Sequence, residues 1–164
     1  DPAEHGGEIP RALVDGMLDE AMARWHVVRM YADPPYWREE IAAWQGRYGD
    51  KVVLTWETWR RRAMGFACRA FATAIASGAL SHDGDERLAR HVGACQRMPI
   101  AERDGDGATL WLVQKDTPDS PRKIDAAMAA ILAWEARLGA LAVGAGSPVR
   151  VVTLDDLDFG YLPL

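Results

Sequence analysis

Residues 10–25, PRALVDGMLDEAMARW, place Leu13, Met17, Leu18, Met22 and Trp25 at helical spacing behind Pro10, and predict an amphipathic helix. HVVRMYA, 26–32, is short and rich in β-formers and predicts a strand that ends at the turn DPPYW. WREEIAAWQGRYG, 37–49, is helical again and closed by Gly49, and KVVLTW, 51–56, predicts a second strand. Strand, helix, strand at these lengths is a βαβ unit, so the two strands should be parallel neighbours with a right-handed crossover. A long helix follows over about 58–77 and stops at Gly78, then a shorter one over about 85–97 with Asp85 as its cap. ERDGDGATLWLVQKD predicts two strand edges around a tight turn, TLWLVQK being the better strand. A last helix is expected from Ser120, its cap, with Pro121 in the first turn, to about Leu138. Residues 139–164 are Gly-rich, then VRVVTL, and suit either a loose arm or a late strand.

Length and composition narrow the class. With 164 residues and 49% hydrophobic side chains, the chain has the size of one domain and enough apolar material for a core. A net charge of −5 argues against nucleic-acid binding by bulk charge, though Arg60, Arg61 and Arg62 form a local basic stripe with Arg69 further along the same helix. The two cysteines, Cys68 and Cys95, have no metal-ligand spacing and read as buried thiols in a reducing compartment. No apolar run approaches the ~18 residues of a membrane span, and the polar start DPAEHGGEIP is not a signal peptide. No G-x-x-x-x-G-K-[ST] occurs, so an ATP-binding P-loop is excluded.

Two acids stand out. Asp33 follows a predicted parallel strand, where ligands gather in open α/β sheets, but an Asp before Pro34 and Pro35 is also an ordinary helix cap. Asp125 heads a stripe of Met128, Ala129 and Leu132 on a helix of small apolar residues. A carboxylate on such a face needs a partner; the bland alternative is an acid favoured by the helix dipole. Together the pair forms a hard-oxygen set suited to Mg²⁺ or Mn²⁺. Weaker signals read as structure: His82, Asp83 and Asp85 as a polar turn before a capped helix, and DGDG, 104–107, as a hairpin turn. WRRR is as well explained by an exposed helix start as by phosphate contact, and the seven Trp mostly by core packing.

VVRMYADPPYW, SGALSHDGDERLARHV and SPRKIDAAMAAILAW, in this order, resemble the carboxyl-terminal nuclease domain of large terminase subunits from tailed bacteriophages and prophages, over about residues 8–138. The resemblance implies an α/β, RNase H-like fold with a central mixed sheet flanked by helices. It implies a two-metal endonuclease that uses Mg²⁺ or Mn²⁺ and cuts double-stranded DNA concatemers during genome packaging in the bacterial cytoplasm. In the full system the partners would be an ATPase domain, a small terminase subunit and the portal, with no membrane. Asp33 matches the family's second acidic residue and Asp125 its last, both as catalytic metal ligands; Arg60, Arg61 and Arg62 would meet DNA. The family's first catalytic Asp sits on an opening hairpin strand that has no counterpart before EHGGEIPRALV. The expectation is therefore a nuclease domain over 1–138, incomplete at its start, with a tail over 139–164 and an exposed sheet edge. Two other readings stay open: a catalytically inactive remnant or docking module, and another RNase H-like nuclease such as a resolvase or transposase.

Overall fold

The computed structural model describes residues 9–145. Helix α1 (Arg11–Arg24) leads into strand β1 (Met30–Ala32), helix α2 (Arg38–Tyr48) and strand β2 (Val53–Thr55). The strands pair in parallel, Met30 opposite Val53 and Ala32 opposite Thr55, so the expected βαβ unit is present. Each strand is shorter than its β-rich run, because the pairing covers only three residues on each side. Helix α3 (Arg61–Ala76) and helix α4 (Glu86–Gly93) follow, then strands β3 (Gln96–Arg103) and β4 (Thr109–Gln114), and finally helix α5 (Asp125–Ala142). The fold is α/β. In place of one central sheet, the described residues hold a parallel pair, β1–β2, and an antiparallel hairpin, β3–β4.

Two apolar clusters hold these parts. In the first, Ile41 and Trp44 of α2 close over Val53 of β2, and Val14, Leu18 and Met22 of α1 pack on them. Leu13, Met17 and Trp25, expected on that face, are exposed instead. The apolar residues of α1 span more than one stripe, and only the Val14–Leu18–Met22 row finds a surface to cover. In the second cluster, Met64, Ala67, Cys68 and Phe71 follow one α3 face at helical spacing and meet Ile131 of α5. Burial pushes the Cys68 thiol up to about 11, whereas Cys95 is only half-buried.

Small residues set the closest approaches. A Cβ on Gly65 would stand 3.0 Å from Leu110 Cβ, so α3 rests almost directly on β4. A Cβ on Gly139 would stand 2.5 Å from Tyr31 Oη, so the second half of α5 lies against β1.

Several boundaries differ from the expectation. Helix α4 ends at Gly93 rather than near 97, because Gln96 already pairs with Gln114. Helix α5 begins at Asp125, and Ser120 is not its cap: its hydroxyl accepts from Arg122 N–H in the preceding turn. The helix continues to Ala142, so the division at 138/139 falls inside it. VRVVTL lies outside the described residues.

Candidate functional site

The carboxyl ends of β1 and β2 bring two loops together. Asp33 leaves β1 and its carboxylate is braced by one residue of the other loop. Thr58 N–H donates to Oδ1 at 3.2 Å, and Thr58 Oγ1 donates to Oδ2 at 2.6 Å. The parallel ladder extends one step beyond the strands through Trp56 N–H donating to Ala32 C=O at 2.8 Å, which fixes the loops side by side. Asp33 therefore does not cap the helix that follows it, whose N-cap position Trp37 carries no side-chain cap; its carboxylate instead accepts from Thr58 in the turn before α3. Small clefts of about 290 and 280 Å³ flank this end of β2, and both are lined by Thr55 and Glu57.

The first loop closes through Trp37 N–H on Pro34 C=O at 3.1 Å and puts Tyr36 at a φ of 66°, the left-handed region. Arg11 Nη2 holds the Tyr36 carbonyl at 2.9 Å, ion-pairs with Glu40, and lies 5.1 Å over the Trp37 ring. Tyr36 itself is 90% exposed. In the second loop Trp59 is also exposed, and Arg60 N–H donates to Glu57 C=O at 3.2 Å.

Asp125 has a different setting. It opens α5, is exposed, and its carboxylate engages none of the described residues. The expectation of a partnered carboxylate on the apolar face is not met. The buried stripe of this half of α5 is Ala127 and Ile131, and Ala127 lies roughly 200° around the helix from Asp125. No group of three or more His, Cys, Asp or Glu that could hold a metal ion occurs among the described residues. The donor set that these residues provide is thus short of a two-ion centre.

The basic stripe is largely engaged. Arg61 pairs with Glu102 at 3.4 Å, Arg62 donates to Arg103 C=O at 3.4 Å and covers the Phe66 ring, and Arg60 reaches Glu57 only at 3.9 Å. Arg69 is tied to Asp104 in the hairpin turn and lowers that carboxyl's pKa. The two bland turn assignments are met: His82 Nδ1 and Asp83 accept from the turn backbone, Asp85 caps α4, and Asp104 accepts from Asp106 and Ala108 N–H.

Sequence reasoning missed His91. Its Nδ1 accepts from Ala126 N–H at 3.0 Å, so α4 caps the start of α5, where Ile124 offers no side-chain acceptor. The two residues are far apart in sequence, and no local pattern announces the contact. A cavity of about 790 Å³ lies among α3, α4 and α5 and is lined mainly by apolar residues such as Phe71, Leu88, Val92 and Trp134. It shares no residue with the clefts that flank the end of β2, and its lining contains no carboxylate.

The chain is similar to two phage proteins. It is 30% identical over 146 residues to the Gene 13 protein of Mycobacterium phage D29, and equally so to the Gene 13 protein of Mycobacterium phage L5. The match covers 84% of this chain, which spans about a quarter of the length of these curated relatives (24%). No protein-family model and no solved structure matches. Among the described residues, no helix is long and apolar enough to cross a membrane.

Proposed function

We propose that this chain is part of the nuclease domain of a phage terminase large subunit, a metal-dependent endonuclease of RNase H-like design that cuts double-stranded DNA concatemers. One observation carries the reading: a carboxylate, Asp33, stands at the carboxyl end of a parallel strand pair and is oriented on both oxygens by Thr58. The similarity to phage proteins supports it. Asp33 and Asp125 would each offer a carboxylate to Mg²⁺ or Mn²⁺, which when bound would activate water and stabilise the leaving oxygen. Because the described donor set is short, a further carboxylate has to come from outside it. In the chain's own residues, Thr58 keeps the Asp33 carboxylate aimed through its N–H and its hydroxyl. The ATPase domain, small subunit and portal belong to the same proposal as partners of the whole protein.

The test is nicking of supercoiled plasmid by this chain with Mn²⁺. Weak, metal-dependent nicking is expected, and either Asp33→Asn or Asp125→Asn should abolish it. Nicking that survives both substitutions would place the chemistry elsewhere. Complete inactivity would favour the docking-module reading, for which the exposed Leu13 and Met17 on α1 speak.

A further inference from the structure

Two aromatic rings at the carboxyl end of the parallel strands belong to neither apolar cluster. Tyr36 is 90% exposed and Trp59 is 53% exposed, although most other Trp residues of the described chain serve the two apolar clusters. Tyr36 also holds a left-handed φ of 66°, which a glycine would adopt without strain. The fold therefore keeps a bulky side chain where it gains no burial and where the backbone would be easier without it. Arg11 pins the Tyr36 carbonyl and fixes the loop that presents the ring. The two rings stand on the two loops that the Asp33–Thr58 bonds join. Asp33 and Thr58 are hydrogen-bonded, Trp59 directly follows Thr58, and Tyr36 stands in the turn closed from Pro34 to Trp37.

Each ring is followed by a weakly engaged cation. Arg38, two positions after Tyr36, is exposed and makes no side-chain ion pair or hydrogen bond among the described residues. Arg60, next to Trp59, reaches Glu57 only at 3.9 Å. Flat aromatic faces interleaved with arginines fit nucleobases stacked along a phosphate chain. Base faces inside a duplex are covered by their neighbours, so the matching ligand is unpaired DNA.

We propose that Tyr36 and Trp59 clamp unpaired nucleobases beside Asp33, with Arg38 and Arg60 on the backbone phosphates, so that this end of the sheet holds a single-stranded or frayed stretch of DNA. The inference rests on the nuclease reading and names the DNA form held at that site. Sequence preference should be slight, since every base has a face to stack.

The experiment is fluorescence anisotropy of a labelled oligothymidylate of about 20 nucleotides, against a duplex of the same length, in EDTA at low salt. The parent should prefer the single strand. Tyr36→Gly and Trp59→Ala should each weaken binding about tenfold, and more together. Tyr36→Gly should keep or raise the melting temperature, because it relieves the left-handed backbone, so lost binding cannot be ascribed to lost folding. Equal or tighter duplex binding, no binding by the parent, or binding indifferent to both substitutions overturns the inference. The two readings fail separately. Ring-dependent binding without plasmid nicking would sink the nuclease assignment alone, and Asp33-dependent nicking with binding indifferent to the rings would sink this inference alone.

Discussion

At the scale of single residues, Asp85 is the clearest case of a side chain whose role follows from its place. Its carboxylate accepts from Arg87 N–H at 2.7 Å and Leu88 N–H at 3.0 Å. The Leu88 backbone bond, aided by the Arg87 guanidinium, lowers its pKa from 3.8 to about 2. The folded value lies below the unfolded one, so the stabilisation is complete above about pH 4 and drains away as pH falls toward 2. Asp85→Asn keeps a capping oxygen but has no charge to titrate. Thermal melts of parent and variant between pH 5 and pH 2 should therefore converge at the acid end, the parent losing more. Parallel curves would show that the cap does not depend on the charge. Asp85 was legible because a cap is a local device: an acid followed by a short helix needs no distant information. Asp125 was not. Helix α5 is apolar on nearly every side, so periodicity could not say which side faces the core, and the stripe through Asp125 proved to lie at the core's edge: Met128 and Leu132 pack on it while Asp125 and Ala129 are exposed.

Between elements, the informative positions are those where two backbones nearly touch. Gly65 lies within α3, where Ala would be favoured intrinsically by about 1 kcal/mol. Against that stands a Cβ only 3.0 Å from Leu110 Cβ and 3.4 Å from Ile100 Cδ1. Leu110 is fully buried and its Cβ moves only if β4 moves. Overpacking of this kind costs about 1–3 kcal/mol and should win. Gly65→Ala is expected to lower stability by about 1 kcal/mol in urea titration, with Gly46→Ala, which meets nothing within 4 Å, gaining instead. A stabilised Gly65→Ala would mean that the hairpin can slide off α3. Elements themselves read well from the sequence: all five helices and the parallel pair were anticipated, because each carries its own period, cap or turn. Their packing partners did not read as well. The contacts His91–Ala126, Arg69–Asp104 and Tyr31–Gly139 join positions whose meeting depends on the whole chain path.

On the scale of the whole molecule, the question is whether Asp33 serves the fold or a cation, and the Thr58 brace lets the two be separated. Thr58→Val removes the hydroxyl that donates to Oδ2 but keeps the carboxylate and the Thr58 N–H on Oδ1. Asp33→Asn keeps the shape and removes the charge. If the carboxylate is structural only, both substitutions lower the melting temperature and Mn²⁺ changes none of the melts. If Asp33 is a metal ligand, Mn²⁺ in the millimolar range should raise the melting temperature of the parent by mass action. Because the described residues hold no group of three metal-capable side chains, the stabilisation behind that rise should be small, about 1 kcal/mol or less. Thr58→Val should start lower without metal and gain at least as much with it, since freeing Oδ2 leaves that oxygen available to the ion. Asp33→Asn should lose the metal-dependent rise. Asp125→Asn should also lose it while leaving the metal-free melt unchanged, because that carboxylate is exposed and touches none of the described residues. Calorimetry on these four proteins, with and without Mn²⁺, decides between the roles. A rise that survives in Asp33→Asn would locate the ion elsewhere and remove Asp33 from the proposed centre.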